Sequence, residues 1–200
     1  MKRLAGLAFL IVGLAFHTQA QVIEYESNGL KYQTLTKSGV TVIFTILPNH
    51  VHNYSVFQVS VSNGSEAPYT IRPEDFTFVR KDGSQVRGEP SKTVVAVLYQ
   101  KASGHDVVKL MNVYETSVYG GHLQTTNGFE TRRQAAQAFS AGKLRAAATA
   151  SALALVVTKL MHGESTDGAV FFVTDGKPLG PGHLVVRTNT DVFEFRPISE

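Results

Sequence analysis

Apolar and polar residues alternate with a period of two through the first half of the chain. In GVTVIFTILP (39–48), Val40, Val42, Phe44 and Ile46 fall on one side and Thr41 and Thr45 on the other. In NYSVFQVSVSNGS (53–65), Phe57, Val59 and Val61 share a face, and the pattern breaks at Asn63-Gly64. Both have the signature of half-buried strands. VIEYE and LKYQTLT flank Ser-Asn-Gly as a strand pair around a glycine turn. Further strands are predicted at Tyr69 and Ile71, in DFTFVR with Phe76 and Phe78 on one face, and in SQVRG after a Lys-Asp-Gly turn.

After Pro90 the period changes. In SKTVVAVLYQKASG, Ser91 is a candidate cap, and Val94, Val97 and Leu98 fit one helical face. The β-branched run there also fits a strand. In HDVVKLMNVYET, Val107, Leu110, Met111 and Tyr114 follow the i, i+3, i+4, i+7 rule, which predicts a helix. SVYGGHLQTTNG reads as a loop. From Glu130 to Met161 there is no proline and alanine dominates. Leu153, Val156, Val157, Leu160 and Met161 form a helical stripe, with Gly142 separating two helices or kinking one. HGESTDG reads as a polar turn, and strands return in AVFFVT, HLVVRT and DVFEFRP.

Those last three strands are too few to bury their own faces. They are expected to complete the sheets begun by residues 40–88. The prediction is an α+β chain: one antiparallel β-sandwich domain over 21–200, with a helical insertion at about 91–161.

Composition adds bounds. The chain has 200 residues, 43% hydrophobic and 18% charged, a globular balance. It has no cysteine, which excludes disulfides, thiolate metal sites, cysteine nucleophiles and lipid attachment through cysteine. Residues 1–20 have the parts of a secretory signal: Lys2 and Arg3, an apolar run from Leu4 to Phe16 too short for a bilayer, and small residues Thr18 and Ala20. The mature chain is expected to start at Gln21, exported to the periplasm or beyond. Without the signal the net charge falls to about +1, which removes the main support for nucleic-acid binding. The apolar stretch 146–161 is short and contains Lys159, so no transmembrane span is expected.

Three segments resemble a broad group of exported bacterial immunoglobulin-like modules. They are GVTVIFTILP, FQVSVSNGSEAPYTIRPEDFTFV with the following DGSQV, and GESTDGAVFFV. The shared pattern is a strand ending in asparagine, a P-x-x-I-x-P-x-D-F return and a late G-E-S-x-x-G-x-V-x-F. The segments cover about half of the mature chain. The resemblance implies an immunoglobulin-like fold and an envelope address, and it implies no catalytic residue.

Candidate chemistry is sparse. His50 and His52 in NHVHN lie on one side of an extended segment, the arrangement of a metal-ligating pair; two exposed loop histidines give the same pattern. Ser165 between glycines superficially resembles a nucleophile elbow, but the order of strand and helix is reversed. Asn53-Tyr54-Ser55 and Asn63-Gly64-Ser65 match the glycosylation acceptor pattern. Charge is distributed unevenly. Residues 91–161 carry eight basic and three acidic side chains, and the rest of the mature chain nine and thirteen. Arg132, Arg133, Lys143 and Arg145 cluster in this block. They form either a solvated face or a docking surface for an envelope protein or anionic surface. The expected function is a non-enzymatic binding or assembly module of the cell envelope, with the helical insertion as contact surface and no cofactor. The alternative is a hydrolase or metal-dependent enzyme using the histidines or the loops at one end of the sandwich.

Overall fold

A computed structural model describes residues 21–48, 50–101, 103–120, 131, 134, 142–175 and 177–198. Seven strands come first: β1 (Ile23–Ser27), β2 (Leu30–Lys37), β3 (Val40–Ile46), β4 (Tyr54–Asn63), β5 (Tyr69–Ile71), β6 (Phe76–Arg80) and β7 (Gln85–Arg87). Helices α1 (Ser91–Lys101), α2 (Gly104–Gly120) and α3 (Gly142–Leu153) follow. The chain then returns to strands: β8 (Thr158–Leu160), β9 (Ser165–Val173), β10 (Gly182–Arg187) and β11 (Val192–Glu194). The class is α+β, and every pair of these strands is antiparallel.

The strands form a five-stranded sheet in the order β1-β2-β3-β4-β9, a four-stranded sheet β11-β10-β6-β7, and the pair β5-β8. Thus β9 lies beside β4 and β10 beside β6, so strands from both sides of the helices share each large sheet. Two hairpins are fixed by local chemistry. Asn28-Gly29 and Ser38-Gly39 have φ of 52°, 74°, 51° and 81°. These are the left-handed pairs that close two-residue turns without splaying the strands.

Alternation decides what each sheet face buries. Val40, Val42, Phe44, Phe57, Val59, Val61, Val170 and Phe172 of the five-stranded sheet share one apolar cluster with Phe76, Phe78, Leu184, Val186 and Phe193 of the other. Edge-on aromatic contacts join the layers, Phe57 to Phe78 at 5.8 Å and Phe44 to Phe195 at 4.8 Å. Polar clasps hold the rim. Gln33 is buried and grips the backbone of Arg196, its Oε1 accepting from the amide at 3.0 Å and its Nε2 donating to the carbonyl at 3.3 Å. Ser38 Oγ donates to Asp191 Oδ1 at 2.8 Å, and Lys37 Nζ to the Val192 carbonyl at 3.1 Å.

The opposite face of the five-stranded sheet is not left to water. Tyr54, Val56, Ala169 and Phe171 pack against Val94 and Leu98 of α1, Leu110 and Tyr114 of α2, and Ala150 and Leu153 of α3. This explains why β4 is buried on both faces, from Tyr54 through Val61. In α1 the i, i+4 pair Val94 and Leu98 faces the sheet. Burial of that stripe overrides the strand preference of its valines.

Three sequence expectations are corrected. The helical passage predicted to reach Met161 ends at Leu153. Residues Ala154 and Leu155 run beside β9, and β8 pairs with β5, so Val156 and Val157 are exposed and do not belong to a helical stripe. The β-branched Val-Val-Thr run explains the switch. Ser117–Gly120 belongs to α2 and not to a loop; residues 121–128 of that expected loop lie outside the described residues. Finally, Ser165–Gly168 is not a turn but the start of β9, paired with Val59–Ser62.

Candidate functional site

The motifs carried by sequence resemblance are structural in detail. The Asn63 side chain is fully buried. Its Nδ2 donates to the carbonyls of Ala67 at 2.9 Å and Leu160 at 3.1 Å, and its Oδ1 accepts from Ser65 N and Oγ. It stitches the β4–β5 loop to β8, which leaves its amide inaccessible as a glycan acceptor. In the Pro-x-Asp-Phe return, Asp75 Oδ2 accepts from the Arg72 amide at 2.9 Å and caps the short 3-10 turn Pro73–Asp75 that delivers Phe76 to the core. Burial raises the Asp75 carboxyl above its ordinary value, opposed by that amide bond. Gly168 is required because a Cβ there would meet the Leu155 backbone nitrogen at 2.6 Å. Ser165 is buried at the start of β9, paired with Ser62, and is not an exposed elbow.

His50 and His52 are both exposed. The Val51–Tyr54 bridge closes a tight turn whose residue His52 has φ of 53°, and His50 Nδ1 lies 3.1 Å from Ser55 Oγ. Among the described residues no group of three or more histidine, aspartate or glutamate side chains is placed to hold a metal ion. Within the basic block, Arg132 and Arg133 lie outside the described residues. Lys143 and Arg145 occupy the first turn of α3, and Arg145 is exposed. The Arg145 cation at that positive end of the helix dipole does not stabilise the helix.

Beneath the helices runs a polar seam. Tyr114 Oη donates to Asp167 Oδ2 at 2.8 Å, and Asp167 is 2% exposed. Tyr32 Oη donates to the Ser117 carbonyl at 2.8 Å, and Ser117 Oγ to that of Tyr114 at 2.6 Å. Desolvation, then the neighbouring Tyr25, pushes the Tyr32 hydroxyl up to about 12. These bonds satisfy buried groups and fix α2 over β2 and β9. They register the helical layer on the sheet.

The outward side of that layer carries a groove of about 560 Å³ between α1 and α3. Lys92, Ala96 and Tyr99 line it from α1, Ala147 and Ser151 from α3, and Val156 from the segment that follows α3. Tyr99 and Val156 are exposed to 47% and 45%. Leu144, also exposed, lies three and seven residues before Ala147 and Ser151, on the same helical side. Small residues along the floor let another chain approach closely. Sequence reasoning missed this groove by assigning Val156 to a helical stripe; the run Val156-Val157-Thr158 was the available signal.

No family model, curated protein or solved structure matches the chain. Among the described residues no helix is long and apolar enough to cross a membrane.

Proposed function

We propose that the chain is an exported, immunoglobulin-like β-sandwich of the cell envelope that works by binding or assembly, and that its contact surface is the α1–α3 groove of the helical layer. The observation that carries this reading is the pairing of a buried and an exposed apolar side on one layer. Val94 and Leu98 are spent on the sheet, whereas Tyr99, Leu144 and Val156 line or flank a concave outer surface. A tyrosine projecting from a groove floored by alanine and serine is the composition of an interface anchor. The occupant is a protein segment that presents apolar side chains, of the helix-in-groove kind. Lys92 and Arg145 favour acidic flanks on that segment. Two facing sheets with one shared apolar interior support the sandwich reading, and the three quoted segments support the immunoglobulin-like type and the address.

Co-sedimentation with the envelope fraction of the source cells tests this reading. The double variant Tyr99→Asp/Val156→Asp alters two exposed positions and should keep the wild-type circular dichroism. The expected result is loss of most of the bound fraction, because each hot-spot truncation costs about 2 kcal/mol or more. Arg145→Glu should weaken association less, and mainly at low salt. Equal co-sedimentation by wild type and the folded double variant contradicts the proposal.

A further inference from the structure

A second concavity lies at the β1–β2 hairpin, shares no lining residue with the helical groove, and differs in chemistry. The four-stranded sheet ends at β11, so the hairpin extends past the shared core. Register places Glu24 opposite Gln33 and Glu26 opposite Lys31, on the same side as Phe44. That side would normally face the apolar interior, yet the hairpin puts charged residues there. The result is a half-open cleft of about 600 Å³. Ile46, Pro197 and Ile198 line it as apolar floor above the buried Phe44, and Glu26 and Lys31 also line it.

The two carboxylates are not equivalent. Glu24 is engaged: Oε1 accepts from Gln33 Nε2 at 2.9 Å, and Oε2 is 3.9 Å from Arg196 Nη1. With the Gln33 clamp on the Arg196 backbone, this ties Arg196–Ile198 to β1 and β2 and builds one side of the cleft. Glu26 and Lys31 are exposed cross-strand partners on the cleft wall. An apolar trough beside Glu26 and Lys31, with the Glu24 carboxylate already held by Gln33 and Arg196, has the volume of a small-molecule site, about 300–1,000 Å³.

We propose that this cleft binds a single-chain zwitterionic amphiphile. The apolar chain lies on Ile46, Pro197 and Ile198, the cationic group faces Glu26, and the anionic group faces Lys31. A ligand with one charge would satisfy one wall residue and desolvate the other unpaired, so matched chains with a single charge bind less well.

The test uses the chain from Gln21 onward and three probes of equal chain length below their critical micelle concentrations: decylphosphocholine, decyl sulfate and decyltrimethylammonium. Methyl resonances of Ile46 and Ile198 report occupancy, with the Ile71 methyl as a remote control. The expected order puts decylphosphocholine first. Lys31→Gln and Glu26→Gln should each raise its Kd by about fivefold or less, as exposed charge pairs do. Lys31→Gln should move the preference toward the cationic probe and Glu26→Gln toward the anionic one. Both positions are exposed, so the melting temperature should be unchanged. The proposal is overturned if Ile46 and Ile198 do not shift, if they shift no more than Ile71, or if all three probes bind alike in wild type and variants. The last result would mean apolar partition only.

Discussion

At the residue scale, the chain spends its special residues on close approaches and turns. Gly163 and Gly168 frame the same motif for different reasons. Gly163 has φ of +79° with open space around it, whereas Gly168 is pressed by the Leu155 backbone. Gly163→Ala should therefore cost about 1 kcal/mol. Gly168→Ala should cost at least the roughly 3 kcal/mol at the upper end of core overpacking, because backbone cannot give way as a side chain can. Urea unfolding of both variants measures the difference. The tyrosines make a second residue-scale prediction. Burial raises Tyr25, Tyr32, Tyr54 and Tyr69, with Tyr32 reaching about 12 against an ordinary 10.0. A folded value above the unfolded one gives stability that is complete below pH 10 and lost as pH rises toward 12. Tyrosinate absorbance should show these four of the seven tyrosines ionising together with loss of the circular dichroism signal. Reversible ionisation of all seven near pH 10 in a folded chain contradicts their burial.

At the element scale, strands were more legible than helices, for a physical reason. A half-buried strand writes its environment into alternate residues. Val40, Val42, Phe44 and Phe57, Val59, Val61 therefore identify β3, β4 and their core side. The end of α3 was not legible, since Leu153, Val156 and Val157 satisfy helical spacing although only Leu153 is buried. Local pattern could not anticipate that Leu155 must leave the helix to donate its amide to the Ala169 carbonyl. Nor did it show Ser165–Asp167 as strand, because polar residues mark a turn in sequence whereas here Tyr114 and the neighbouring strand accommodate them. The two sides of the helical layer also differ measurably. Leu98→Ala removes a fully buried side chain and should cost about 2–5 kcal/mol. Leu144→Ala, at an exposed position, should stay within about 0.5 kcal/mol. Thermal unfolding of the pair tests which side faces the sheet.

At the scale of the whole molecule, the five-stranded sheet shares one apolar cluster with the four-stranded sheet and a second with the helices. The five-stranded sheet is buried on both faces along β4 and β9, where the helices pack. A layer so placed stabilises the sheet with one side and is free to meet a partner with the other. Charge counts along the sequence pointed to the helical passage as the distinctive surface. The fold moves the emphasis from its cations to the groove of Tyr99, Leu144 and Val156, a property of packing that composition does not record. The most direct measurement is in-cell photo-cross-linking with a reactive residue substituted at Tyr99 in the full chain, and at exposed Lys81 as a control. The account predicts a discrete adduct from position 99, strongly reduced when Val156→Asp is added, and no such adduct from position 81. No adduct at position 99, or the same adducts from both positions, would contradict the groove as the contact surface.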